Sequence, residues 1–487
     1  MTIGISSFGC YLPRGTLSRR AIADAWGQTP EFALGVRAVA WFDEDALTMA
    51  VEAGAEALLG TERQAVGAVF VATTSAPFAE KSVADVVAAA LDLRGEILTA
   101  DFGGSTRAFS AALRAACDAV QAGSCRNALV IASDMRQVPP GSPAEPGLGD
   151  AAAAFVVGSD GLLAEIEQLV TLSDDFTPVW RLAGDRFLSS DDDKVAQEAY
   201  VAAALQVARR TLDAAARDTA DLTTIVAYAP DSGAFRTLLR ASGMGEKFHT
   251  ATLHGEVGNS GAANLPLQLC AALEEAQPGD RLLAVNWGGT ADGLLLRCTD
   301  AVAQVPGAAR RGIQTWLDGR AALQYQEYLR HRDLLASPGG LWSLDPFSSL
   351  TAARRESRQL LRLHGVRCQA CGAVLYPVRP ACRACGGDGP FDDFRLARRG
   401  VVVTWNRDHV YPGFGSPVAN VVVDLEGGGR LLTQLAEGTP AIGMPVELAL
   451  RRLHAGRNLP HYFWKARAPR GVPAVPAPPA TAAEVSS

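Results

Sequence analysis

Residues 367–387 read RCQACGAVLYPVRPACRACGG, two Cys-x-x-Cys knuckles separated by ten residues. Each knuckle sets two thiolates on one tight turn, and two such turns supply the four sulfur ligands of a tetrahedral zinc ion. Cys368, Cys371, Cys382 and Cys385 are therefore expected to hold one structural zinc, because four protein sulfurs leave no position for water. The alternative, a pair of disulfides, needs an oxidising compartment. No secretory signal opens the chain, so a cytoplasmic protein is expected. Cys10, Cys117, Cys125, Cys270 and Cys298 are scattered singly in apolar surroundings and read as small buried hydrophobes.

The chain around the knuckles is 487 residues long, 48% hydrophobic and 20% charged, too long for one core. A formal charge of −7 with no concentrated basic face excludes a nucleic-acid partner. Apolar runs such as Leu282 to Leu296 are broken by Asn, Gly and Asp, so no membrane span is expected. Residues 1–300 alternate short β-rich runs with Ala-rich helical stretches, the pattern of an α/β fold with sheets covered on both faces. Residues 301–364 turn helical and charged and read as a linker, with SPGGLWSLDPFSS as its hinge. The ribbon follows at 365–392, then a small antiparallel barrel at 393–466, where alternating runs are separated by turns such as EGGGR. The Pro/Ala-rich end, 467–487, reads as a disordered tail. Among smaller features, DEDALTMA reads as an N-capped helix with acids in its first turn. ARRESRQLLRLH reads as a basic helix face, solvated or meeting a CoA phosphate, and HYFWK as a barrel or interface anchor.

IGISSFGCYLPRGTLSRRAIADAWG at 3–27 and DEDALTMAVEAGAEAL from Asp43 resemble the start of the hydroxymethylglutaryl-CoA synthases, especially the archaeal type, and more loosely the ketoacyl synthase III enzymes. The resemblance continues through VATTSAPFAEKSVADVVAAAL, ADFGGSTRAFSAAL, NALVIASDMR, GDAAAAFVVG, HGEVGNSGAANLPLQL and NWGGTADGLLL. It implies an α/β thiolase-like fold of two layered βαβαβαββ halves, a homodimer, and action on acyl thioesters of CoA or an acyl-carrier protein. Residues 320–466 resemble the zinc-ribbon plus OB-fold family that accompanies thiolase-like proteins. That second resemblance implies a domain that helps hold a thiolase-like partner subunit and shape an acyl-CoA channel.

In these enzymes a cysteine at a helix N-terminus is acylated, its pKa lowered by the helix dipole. Laid on the family segment, this sequence has Thr106, or one step away Ser105, in that place. A hydroxyl is a poor acyl acceptor unless a base takes its proton. The region of the family's histidine reads AYAPDSGAFRTLL and offers Asp231 instead. Asn259 matches the family's active-site asparagine, and Gly288 with Gly289 its glycine-rich oxyanion region. Thr74 stands where the synthase carries an acid, so condensation by that family's own mechanism is not expected.

Two readings stay open. Thr106 or Ser105 with Asp231, Asn259 and His254 forms a rewired site, for acyl transfer through a hydroxyl or for retro-aldol cleavage. Otherwise the fold persists without catalysis and serves a thiolase-like partner that brings a cysteine. His254 also reads as a structural histidine, and Asp231 as a turn residue of PDSG. The expected function is a component of a C–C bond-forming or C-acylating acyltransferase system acting on acyl-CoA or acyl-carrier substrates. A retro-aldol lyase and a non-catalytic scaffold are the alternatives.

Overall fold

The computed structural model describes residues 1–28, 34–191, 193–249, 253–304, 311–335, 347–409, 417–455 and 459–470. The hinge expected at 337–349 and the tail at 467–487 therefore lie largely outside the described residues. The chain divides into two compact units, Met1–Pro338 and Gly339–Ser487.

The first unit is built on a nine-stranded sheet whose two ends repeat one plan. The first half runs β1 (Gly4–Tyr11), α1 (Ala46–Ala57), β2 (Val66–Ala72), α2 (Val83–Ala90), β3 (Leu98–Phe102), α3 (Ala108–Gln121), β4 (Asn127–Met135) and β5 (Asp150–Gly158). The second runs β6 (Ala164–Leu172), α4 (Asp193–Ala214), β7 (Thr224–Ala227), α5 (Ser232–Ser242), α6 (Asn264–Glu275), β8 (Arg281–Gly288) and β9 (Thr290–Cys298). Across the sheet the order is β7-β8-β9-β6-β1-β5-β4-β2-β3. In the first half β3 pairs parallel with the edge of β2; in the second, among the described residues, the corresponding edge of β7 carries a parallel bridge from Ile225 to Phe248. With that bridge counted as a strand reduced to one residue, both halves read βαβαβαββ in the same order. This is the thiolase-like fold expected from the sequence.

Burial explains the composition. Every residue of β2 and of β5 is buried, as continuous apolar runs covered on both faces require. The third helix of each half lies at the centre: α3 is tied by Ser110 to Asn286 of β8, and α6 packs on strands of both halves. In α6, buried Gln268 donates to buried Asn264 at 2.8 Å, so both amides are partnered inside an apolar helix. Asp45 caps α1 in a reciprocal capping box with Thr48. The acids of DEDALTMA thus sit at and before the cap, not in the first turn. Between the halves, β1 and β6 share only the pairs Gly4↔Glu165 and Ile5↔Ala164. A Cβ on Gly4 would fall 2.1 Å from the Ala164 carbonyl oxygen, so only glycine permits that approach.

The stretch 301–364 contributes to both units. Ile313–Leu317, Ala321–Ala322 and Tyr325–His331 pack on the first: Trp316 is fully buried edge-on against Tyr11, and Arg332 is paired with fully buried Asp150. Short helices Leu350–Arg355 and Ser357–Leu360 open the second. Among the described residues no helix is long and apolar enough to cross a membrane.

In the second unit, a three-stranded ribbon sheet (His364–Cys368, Val374–Leu375, Phe391–Arg395) is followed by a closed barrel. Its strands are β10 (Arg399–Asp408), β11 (Val418–Leu425), β12 (Arg430–Glu437), β13 (Pro445–His454) and β14 (His461–Arg467), ordered β10-β11-β12-β14-β13. This is the OB-type barrel, with one departure from the expected antiparallel pattern: β14 closes the barrel by pairing parallel with β12. HYFWK lies on that closing strand, and Trp464 is buried with its indole N–H donating to the Leu361 carbonyl at 3.0 Å. Ribbon and barrel meet where Val374 lies against the glycine turn, since a Cβ on Gly428 would come within 2.9 Å of the Val374 Cβ.

Candidate functional site

Ser105 and Thr106 sit in the turn that leads into α3, at the carboxyl end of β8. The Ser105 hydroxyl donates to the Gly288 carbonyl at 2.9 Å and accepts from the Arg107 amide at 3.3 Å. The Thr106 hydroxyl donates to the Trp287 carbonyl, also at 2.9 Å. Both protons are thus spent on main-chain oxygens, and among the described residues no histidine or carboxylate bonds to either hydroxyl. The packing is tight: a Cβ on Gly288 would lie 2.3 Å from Ser105 Oγ and 2.7 Å from Thr106 Oγ1. Gly289, at φ +90°, turns the β8–β9 hairpin against the Phe176 carbonyl. Arg107 locks the start of α3 to β9 through a bidentate pair with buried Asp292, at 2.8 and 2.9 Å. No scattered cysteine substitutes for the absent nucleophile: all five are buried, and burial pushes the Cys117 and Cys298 thiols up to about 12.

The other candidate residues gather at the end of neighbouring β7. Asn259 donates to the Tyr228 hydroxyl at 3.1 Å and to the Pro230 carbonyl at 2.9 Å, and accepts from the Gly261 amide at 2.9 Å. Its amide is fully engaged. Asp231 caps α5, accepting from the Gly233 and Ala234 amides at 2.6 and 2.9 Å. No hydrogen bond among the described residues joins this group to Ser105 or Thr106. Tyr228 is the residue that motif reading passed over. Its phenol is buried on Asn259 and its own proton has no acceptor among the described residues. A tyrosine two positions before the proline of AYAPD was the available signal.

His254 is 95% buried by its 5% exposure, and its Nε2 is unpartnered among the described residues. Burial first, then the charge of Arg19, lowers its pKa from 6.5 to about 4, with Asp231 opposing. The folded state keeps the ring neutral where the unfolded chain takes up a proton, so its contribution to stability is intact above pH 6.5 and is lost as pH falls toward 4. Urea midpoints at pH 7, 5.5 and 4.5 should therefore fall less steeply in His254→Phe than in the wild type. Equal slopes would rule out His254 as the source.

Beneath these groups lies Asp134, fully buried at the end of β4. It accepts from the hydroxyls of Thr73 (3.0 Å), Thr74 (2.8 Å) and Ser75 (2.8 Å) and from the amides of Thr74 (2.7 Å) and Ala262 (2.8 Å). One carboxylate thus holds the loop after β2 to the turn that carries Asn259, and Thr74, in the place of the family's acid, spends its hydroxyl on it.

In the second unit the four knuckle cysteines converge, with all sulfurs within 4.8 Å of one another. Cys368 to Cys385 is 3.8 Å and Cys371 to Cys382 is 3.6 Å, against an S···S edge of about 3.8 Å for tetrahedral zinc at a Zn–S distance of about 2.3 Å. The knuckles repeat one geometry. Gly372 and Gly386 donate back to the carbonyls of Cys368 and Cys382 at 2.8 and 2.9 Å, each at positive φ, +73° and +74°. Amides of Cys385 and Ala384 directed at Cys382 lower its thiol, while the thiol contact with Cys382 raises Cys371, so the pair gives up its first proton at Cys382. The site fits a structural zinc.

Comparison with known proteins places these units. Residues 355–390 match the family model described as ChsH2, rubredoxin-like zinc ribbon domain, and 395–451 match ChsH2, C-terminal OB-fold domain. Hydroxymethylglutaryl-CoA synthase of Archaeoglobus fulgidus is 30% identical over 345 residues, covering 68% of this chain and 98% of the relative. Among solved structures, MvaS in complex with 3-hydroxy-3-methylglutaryl coenzyme A aligns with a TM-score of 0.63 and 21% identity, over 71% of this chain and 95% of that one. The hydroxymethylglutaryl synthase of the curacin biosynthetic pathway, in complex with holo donor-ACP, aligns with a TM-score of 0.61 and 19% identity, over 68% and 88%.

Proposed function

The chain belongs to the hydroxymethylglutaryl-CoA synthase family through its first unit, and from that premise we propose that it is a component of an acyl-thioester C–C bond-forming or C-acylating system whose nucleophile comes from a thiolase-like partner. The observation that carries this reading is the state of Ser105 and Thr106: both hydroxyls donate to carbonyls, and no base touches them among the described residues. Acyl transfer to a hydroxyl needs its proton removed as the C–O bond forms, and neither the capping Asp231 nor the fully bonded Asn259 is placed to take it. In this reading Gly288 and Gly289 wall an acyl pocket and His254 is structural. The ribbon and barrel, similar to ChsH2 domains, serve the partner and the thioester, and the first unit pairs as a homodimer in the cytoplasm.

A second reading is favoured by Tyr228. Retro-aldol cleavage of an acyl thioester needs no acyl-enzyme, only a group that moves a proton while the enolate oxygen is held, and a buried phenol bonded by Asn259 could do so. Intact-protein mass spectrometry after incubation with acyl-CoAs separates the cases. The expected result is no adduct on this chain, and an adduct on the partner when one is present. A stable adduct at Ser105 or Thr106 would overturn the proposal. Product formation with no adduct anywhere, lost in Tyr228→Phe, would establish the lyase.

A further inference from the structure

Arg136 differs from the other buried cations of the first unit. It is the first residue after β4, two positions past Asp134, and only 6% exposed. Its Nε is sealed from solvent with no partner, and its guanidinium makes no hydrogen bond or ion pair among the described residues. Arg332 and Arg37 are as deeply buried, yet the first is paired with Asp150 and the second donates to the Glu145 carbonyl at 2.7 Å. A buried cation is costly unless an opposite charge meets it, so the missing charge is expected from outside the chain.

The stem of Arg136 is held although its head is not. A Cβ on Gly261, at φ +57°, would come 2.6 Å from Arg136 Cδ and 2.2 Å from Asp134 Oδ2, so the turn that carries Asn259 is pressed against both side chains. Asp134 spends its oxygens on three hydroxyls and two amides and forms no ion pair with Arg136. The segment after β6 is tied across the same strand ends: the Leu188 amide and Arg186 Nε donate to Gln137 at 2.9 and 3.0 Å, and Arg181 donates to the Thr74 carbonyl at 2.5 Å. Arg181 and Arg186 bond only neutral oxygens among the described residues, which leaves the spot positive. It borders the turn of Ser105 and Thr106, since a Cβ on Gly103 would lie 3.2 Å from the Thr73 carbonyl oxygen. One guanidinium in so closed a place balances one negative charge, and its planar fork fits the two oxygens of a carboxylate; a phosphate dianion would leave a charge uncompensated.

We infer that Arg136 binds a carboxylate at the far end of an acyl chain, so that the first unit selects the thioester of a dicarboxylic acid. The thioester rests on the function proposed above; the carboxylate rests on Arg136.

The full chain is titrated calorimetrically with succinyl-CoA and glutaryl-CoA, with butyryl-CoA and valeryl-CoA, which carry a methyl in place of the carboxylate, and with free succinate and glutarate; urea midpoints are taken for every variant. The better-bound carboxylated thioester should bind at least about tenfold more tightly than its methyl counterpart, and Arg136→Gln should erase that preference while leaving the methyl thioesters within about twofold, as loss of a charge-assisted pair predicts. Arg136→Lys keeps a positive charge near Asp134 but not the fork, so it should hold the wild-type midpoint and still weaken the carboxylated thioester. Equal wild-type affinity within both pairs overturns the carboxylate and leaves the function proposed above standing. Equal weakening of all four thioesters in Arg136→Gln places the phosphates of CoA on the arginine and overturns it too. A midpoint that falls in Arg136→Gln and returns in Arg136→Lys together with the full preference assigns the guanidinium to balancing Asp134, and the inference fails. Free succinate or glutarate bound through Arg136, with no thioester bound, keeps the carboxylate site and overturns the thioester reading instead. Binding of none of the six removes both.

Discussion

Removing zinc, or replacing Cys368 by serine, is expected to abolish the ordered ribbon of the second unit while the first unit's unfolding transition stays where it was. The ribbon has little else to hold it. Its apolar cluster consists of Cys368, Leu375 and Cys382, with Val366, Ala373 and Phe391 packed around them, so two of the three buried members are metal ligands themselves. Structural zinc in peptides of this size is worth about 10–16 kcal/mol at neutral pH, more than such a cluster supplies by burial. Elemental analysis should find about one zinc per chain. Thermal denaturation with and without a strong chelator should show loss of the second unit's transition alone. Freshly purified protein without zinc, or a Cys368→Ser variant with both transitions unchanged, would reject the site.

The second large effect is expected at Asp134. Its alanine variant would leave three hydroxyls and two amides without their common acceptor in a fully buried place. A buried donor left unpaired costs about 1–3 kcal/mol, and the hydroxyls can turn to other acceptors more readily than the amides can. With the two amides the donors least able to find another acceptor, the net loss expected is about 3–5 kcal/mol. Urea unfolding of the first unit measures it, with Thr74→Val as a comparison expected to lose about 1 kcal/mol, one hydrogen bond's worth. An Asp134→Ala loss below the Thr74→Val loss would show that the carboxylate is not what holds the two loops together.

The fold was readable where the sequence repeats a physical pattern. Apolar runs such as Ala68 to Ala72 and Ala151 to Gly158 became fully buried strands, and the two knuckles brought four sulfurs together. What escaped reading depends on distance along the chain. Asp134 stands inside the quoted NALVIASDMR, but its partners lie about 60 residues before it and 128 after it. The parallel closure by β14 follows from barrel geometry that alternation within one strand does not encode. Tyr228 takes its place in the site from Asn259, 31 residues further along the chain. The turn chemistry of PDSG, by contrast, is local, and Asp231 is found capping a helix as such turns do.

The narrow join between β1 and β6 leaves the two halves connected by side chains more than by a backbone ladder. With two residue pairs in the ladder, they are joined also by helix α6, which packs on strands of both, and by polar ties such as Arg107 to Asp292, Asn286 to Ser110 and the Ala262 amide to Asp134. Each half, with its own strands in order, is therefore the natural unit of any opening at that seam.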